Sequence, residues 1–181
     1  MLPYEKLTIE EAVFNCYRNM RTDYEIILYL GKGGHPKIVN RNKLLKRWQL
    51  LTLRDLIIQS NTILSYRKKR KTDTYEYTGY IIEALKASNL SEKTKRVLWN
   101  KIYRKKDIII EIQTTRDKYY AHLDLDYRSR VKPNSGIYDY GRVIFTVGSI
   151  IQRIYGTKKF QSALDEIESR DDYNLLEKFY D

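Results

Sequence analysis

Ile108-Ile109-Ile110-Glu111-Ile112-Gln113-Thr114-Thr115-Arg116-Asp117-Lys118-Tyr119-Tyr120-Ala121-His122-Leu123-Asp124 is the stretch from which both fold and chemistry of this 181-residue chain are read. At ~100° per residue, Ile112, Ile109, Ile102 and Leu98 fall within about 40° of the direction of Arg116. A stripe of this kind faces a partner helix. The spacing predicts one long helix from near Glu92, capped by Ser91 and closing in the quoted stretch. Arg116 continues the stripe and so points at packed protein or a cleft. There a guanidinium is costly unless a carboxylate, a phosphate or open water meets it. A structural partner, Asp55 or Glu83 on a neighbouring helix, would satisfy it equally well.

His122 is one of two histidines in the chain. Six residues beyond Arg116, it lies ~120° away around an unbroken helix. The two face one site only if the helix ends, tightens or bulges near Ala121. The following Leu123-Asp124-Leu125-Asp126-Tyr127 and the later Pro133-Asn134-Ser135-Gly136 supply an ending. Alternatively His122 is a helix C-cap whose charged form suits the dipole. The arginine–histidine spacing alone is a weak signal. Its place at the end of an apolar stripe gives it weight.

Composition points the same way. Eight glycines and three prolines among many Leu, Ile, Lys, Arg and Glu favour helices. The length is most simply one domain, 1–181, with a core over about 40–156, an N-terminal helix at 8–30 and a helical tail at 158–180. A formal charge of +11 implies a polyanion as partner, nucleic acid before an anionic membrane. The lone Cys16, in an amphipathic pattern, reads as a reduced core residue of a cytoplasmic protein. No apolar run reaches the ~18 residues of a membrane span.

Thr8-Ile9-Glu10-Glu11 is a capping box, and the helix it opens runs to Gly31. Gly31-Lys32-Gly33-Gly34-His35-Pro36 lacks the strand and the Gly-Lys-Ser/Thr ending of a phosphate loop, so it reads as a flexible turn with His35 at the surface. Asn40 is expected to cap a second helix, with Leu44, Leu45, Trp48, Leu51, Leu56, Ile57, Ile63 and Leu64 inward and Arg54-Asp55 as a local ion pair. That helix is expected to run out into Tyr66-Arg67-Lys68-Lys69-Arg70-Lys71, a cationic end that is either solvated or meets an anion. Asp73-Thr74-Tyr75-Glu76 is expected to open a shorter helix through Ile81, Ile82 and Leu85. Leu123 to Ile137 is expected to be a long loop carrying Arg128, Arg130 and Lys132, and long loops tend to be functional. Tyr140 to Ile154 is another amphipathic helix, ending at Gly156.

No Cys/His cluster, His-Glu-x-x-His or nucleophile motif is present, so neither a metal nor a cofactor is expected. One arginine and one imidazole in a basic helical protein are the minimum for metal-free RNA cleavage. An imidazole can take the proton of a ribose 2′-hydroxyl near neutral pH. A guanidinium can stabilise the charge that builds on the phosphate. Such a reaction leaves a 2′,3′-cyclic phosphate, and a second histidine, from a twofold partner, would serve as acid. Catalytic candidates are Arg116, His122 and Asp117, the last as orienter of Arg116 or of water. Candidate RNA contacts are Lys118, Tyr119, Tyr120, Lys105, Arg128, Arg130, Arg67, Lys68, Lys69 and Arg70. The cations from Lys93 to Lys106, interleaved with Trp99 and Tyr103, suit a single strand.

Arg116-Asp117-Lys118-Tyr119-Tyr120-Ala121-His122 resembles the Arg-x(4–6)-His signature of the HEPN superfamily, with a polar residue just after the arginine. Ala121 before the histidine and Asp124 two after it look most like the abortive-infection branch. The resemblance covers 112–124 closely and 40–156 loosely. It implies an all-α, up-and-down bundle with extra terminal helices, a homodimer with a composite metal-independent ribonuclease site, and a role in phage defence or as a toxin checked by an antitoxin or other regulatory partner. Where that branch is silenced by adenylylation, a tyrosine stands two residues after the histidine; Asp124 occupies that position here, with Tyr127 nearby. The other reading is a non-catalytic module that binds nucleic acid or a partner protein.

Overall fold

The structure, a computed structural model, describes residues 7–31, 35–68, 75–122 and 136–168, with side chains for all of these but 35, 68, 118–122, 167 and 168. Among the described residues it is an all-α bundle with one small hairpin. The helices are α1 (Ile9–Leu30), α2 (His35–Arg41), α3 (Lys43–Ile63), α4 (Tyr80–Ala87), α5 (Glu92–Tyr103), α6 (Lys106–His122), α7 (Ile137–Tyr155) and α8 (Thr157–Glu168). Strands β1 (Ser65–Lys68) and β2 (Tyr75–Thr78) lie between α3 and α4.

Helix α1 forms where the capping box predicts. Thr8 accepts the Glu11 amide, the Glu11 carboxylate accepts the Thr8 amide, and Gly31 closes the far end. Its apolar face, Val13, Cys16, Tyr17, Met20 and Tyr24, lies in the main core with α3, α4, α6 and α7. Against α3 it runs antiparallel: the Cys16 thiol bonds Gln59, while Leu30 clusters with Leu45 at the opposite end. Against α7 it is antiparallel too, and tightly so. A Cβ at Gly141 would stand 2.3 Å from the Tyr24 hydroxyl, and one at Gly148 would stand 2.5 Å from the Tyr17 hydroxyl. Two buried tyrosines one heptad apart thus use the space left by two glycines one heptad apart. After Gly156 the chain reverses into α8, which returns along α1 through the pairs Lys159–Glu10 and Arg18–Glu166.

Four local expectations need correction. His35 does not lie in a turn but opens α2, and the cap of α3 is Asn42, whose side chain accepts the Leu44 and Leu45 amides; Asn40 is inside α2. Arg54 and Asp55 form no ion pair among the described residues, and the Arg54 Nε is buried without a hydrogen-bond partner there. Tyr66 to Lys68 is strand, not helix end, and Tyr75 is strand, not helix start. The hairpin pairs Ser65 with Thr78, Tyr66 with Tyr77, Arg67 with Glu76 and Lys68 with Tyr75. Gly79 makes this possible: at φ 111° its missing Cβ would fall 2.6 Å from the Ile63 carbonyl oxygen. Finally, the long helix from Glu92 is two helices, broken at Arg104–Lys105. Arg104 remains right-handed helical and Lys105 bonds back three residues to Ile102, so the break barely disturbs the apolar phase.

Candidate functional site on helix α6

Leu98 and Ile102 on α5, then Ile109 and Ile112 on α6, are all buried. The predicted stripe therefore survives the break. Arg116 follows on the same side, its side chain 24% exposed. It meets neither Asp55 nor Glu83: Nε and Nη2 both donate to the Oδ1 of Asp117, at 2.8 and 2.5 Å. Asp117 is itself more than half exposed, so this is a surface-edge pair that water and salt screen. It holds the guanidinium at the mouth of the stripe without sealing it inside.

The helix does not end ahead of the histidine. α6 continues through Ala121 to His122, so its register sets Arg116 and His122 ~120° apart, with Tyr119 midway. Position 116 thus lies on the core-facing stripe and position 122 lies off it within a single chain. Lys118, Tyr119, Tyr120 and His122 are placed by that backbone alone. Lys69, Arg70, Asp124, Tyr127, Arg128 and Arg130 lie outside the described residues, as does most of the expected loop.

Of the other predicted RNA contacts, Lys105 stands half-buried at the α5–α6 break and Arg67 is exposed on β1. Positions 67 and 68 alternate along the strand, so they belong to opposite faces of the hairpin. Position 68 shares its face with Tyr66, Tyr75 and Tyr77; Arg67 is on the other face with Glu76.

Two features were not legible as a site in the sequence. The first is an aromatic array. Tyr66 stacks on Tyr75 with ring centroids 5.4 Å apart and planes 13° from parallel, and Tyr77 links Tyr66 to Trp99 of α5. The Lys106 ammonium stands 5.2 Å from the Tyr66 ring centre. The Tyr66 amide donates to the Gln113 Oε1 at 3.2 Å, which fixes the hairpin one helical turn before Arg116. The second is a cleft of about 330 Å³ between α5 and α7, where Arg153 and Ser149 of α7 join Lys93 and Lys101 of α5. Helical spacing exposes the α5 cations, but only the packing of α5 on α7 adds Arg153.

Cys16 is buried, and burial pushes its thiol up to about 12, the state of an inert core residue. Among the described residues no three His, Cys, Asp or Glu side chains converge as a metal site would require. No helix there is long and apolar enough to cross a membrane. Comparison with protein-family models, with curated proteins and with solved structures gives no match to this chain.

Proposed function

We propose that the chain is a metal-independent endoribonuclease of HEPN type that cuts RNA to a 2′,3′-cyclic phosphate, with Arg116 and His122 as its catalytic residues. The observation that carries this reading is the position of Arg116: it ends a buried apolar stripe with about a quarter of its side chain exposed, tethered among the described residues by its own neighbour Asp117. A guanidinium held this way can release or share Asp117 when a phosphate arrives, since Asp117 engages it through a single oxygen whereas a phosphate offers two oxygens to its planar fork.

In the proposed reaction His122 removes the 2′-hydroxyl proton and the freed oxygen attacks the adjacent phosphorus. The bond to the 5′-oxygen breaks, and an acid returns a proton to that leaving oxygen. Arg116 neutralises the charge on the non-bridging oxygens. Because the helical register separates Arg116 from His122, the complete set is assembled from two copies of α6 in a homodimer, one histidine acting as base and the other as acid. Phage defence or toxin activity, with an antitoxin or regulatory partner, is the role consistent with the resemblance.

RNA cleavage in EDTA, with cyclic-phosphate ends, that is lost in both Arg116→Ala and His122→Ala while the proteins stay folded is the expected result. Cleavage that requires a divalent metal, or that survives both substitutions, removes the reading. One observation favours a second reading, a non-catalytic nucleic-acid-binding module: Arg116 already has a carboxylate partner, and His122 is not in register with it. That module would bind RNA with a steep salt dependence and yield no cyclic-phosphate product.

A further inference from the structure

We infer that the β1–β2 hairpin is a base-stacking platform for single-stranded RNA, with Tyr75 as its open end and Tyr66 as its anchored base. The inference rests on RNA being the ligand of α6, and it names the form of RNA that α6 receives.

Four observations converge on it. Tyr66 is fixed from behind: its ring packs against the core with Tyr77 and Trp99, and its amide is bonded to Gln113. Tyr75 lies nearly parallel to Tyr66, yet is 56% exposed. A tyrosine at the start of a short strand gains little by folding flat over its neighbour while leaving most of its surface in water. A flat ring presented this way is what an unpaired base covers. A cation flanks the stack: the Lys106 ammonium stands over the Tyr66 ring, 5.2 Å from its centre. A base on the ring and a backbone phosphate on a neighbouring ammonium are the two contacts by which single strands are held without sequence preference. Finally, Gln113 ties this platform to the helix that carries Arg116, one turn away.

A duplex has its bases stacked on each other and offers no free ring face, so the platform discriminates strand state. The sequence disguises this feature because five adjacent cations, Arg67 to Lys71, which begin within β1, read as a helix end.

The test uses the full-length chain carrying His122→Ala, so that cleavage does not consume the probe. Affinity is read by fluorescence anisotropy with a short fluorescein-labelled single-stranded RNA and with the same strand annealed to its complement. Tyr75→Ala and Tyr75→Leu should each weaken single-strand binding roughly tenfold, Tyr75→Phe should preserve it, and duplex binding should change less than twofold. Unchanged single-strand affinity in both Tyr75→Ala and Tyr75→Leu overturns the platform, as does equal weakening on the duplex or absence of single-strand binding in the parent. Cleavage by the chain with His122 intact is scored separately. Loss of binding in Tyr75→Ala without any cleavage leaves the platform standing and removes the ribonuclease reading; cleavage with no effect of Tyr75 does the reverse.

Discussion

The backbone amide of Tyr66 donates to the side-chain oxygen of Gln113 at 3.2 Å, across a sequence separation of 47 residues. This bond couples the hairpin to the helix that bears Arg116. In Gln113→Leu the amide of Tyr66 loses its acceptor, at a cost of roughly 1–3 kcal/mol. The loss should be local. Hydrogen exchange at the Tyr66 amide should speed up about tenfold or more, while amides in the middle of α1 keep their protection. Unchanged exchange at Tyr66 would show that the hairpin is held by its aromatic contacts alone.

The Oδ1 of Asp117 accepts both guanidinium bonds of Arg116, so on the ribonuclease reading its part is to hold that guanidinium. Removing it should therefore misplace Arg116 without removing its charge. For RNA cleavage in EDTA, Asp117→Ala should cost about tenfold, against the ~10²–10³ typical of losing a transition-state donor for Arg116→Ala. Arg116→Lys should behave more like the alanine variant than like the parent, because an ammonium cannot present the planar fork. Cleavage rates under single-turnover conditions rank the three variants. An Asp117→Ala protein slower than Arg116→Ala would make Asp117 a participant in the chemistry.

The turn between β2 and α4 depends on one missing side chain. Gly79 has φ 111°, and a Cβ there would stand 2.6 Å from the Ile63 carbonyl oxygen and 2.9 Å from the Leu64 amide nitrogen. Backbone atoms cannot swing away as the end of a side chain can. Gly79→Ala should destabilise the protein by about 2 kcal/mol or more, combining the left-handed penalty with the clash. Gly156→Ala is the internal comparison: its φ of 89° carries a similar backbone penalty, but nothing lies within 4 Å of the added methyl. Urea unfolding should place Gly79→Ala clearly below Gly156→Ala.

These contrasts also show where the sequence speaks and where it is silent. α1 and α7 are legible because their signals are local: a capping box at Thr8, a stop at Gly31, and the periodic Tyr140, Val143, Ile144, Val147, Ile150 and Ile151, all buried as expected. The hairpin is illegible because its signals are not. Two four-residue strands gain order from cross-strand pairing and from Gly79 against Ile63, and neither contact leaves a trace in a window of adjacent residues. The break at Arg104 is hidden for the opposite reason: the backbone stays so nearly helical there that the apolar phase runs straight through it. Asn40 and Asn42 are two equally good caps two residues apart, and the short α2 between Gly31 and Asn42 decides between them. At the site, the stripe placed Arg116 at the right edge of the core. Its partner proved to be the adjacent acid, which helical spacing does not pair with it: residues one apart lie ~100° apart around the axis.

Alkaline pH should destabilise the fold, and the sign follows from burial. Burial first, and then the nearby Tyr66, Tyr103 and Asp107, push the Tyr77 hydroxyl from 10.0 up to about 12. Burial lifts the Cys16 thiol from 9.0 to about 12, and it raises Tyr17, Tyr24 and Tyr155 as well. Each of these groups is neutral when protonated, and the folded chain holds its proton more tightly than the unfolded chain does. Below about pH 9 both states are protonated and the full stability is present. Above it the unfolded chain releases protons that the folded chain keeps, so unfolding becomes progressively favoured until the folded-state values near 12 are reached. The urea midpoint should therefore be flat from neutral pH to about 9 and fall steadily beyond it. Tyr77→Phe removes one such group, and its hydroxyl is buried without a hydrogen-bond partner among the described residues, so the lost atom leaves no broken bond behind. The variant should match the parent near neutral pH and lose less stability than the parent as the pH rises past 10. Identical slopes for the two proteins would place the Tyr77 hydroxyl in contact with water.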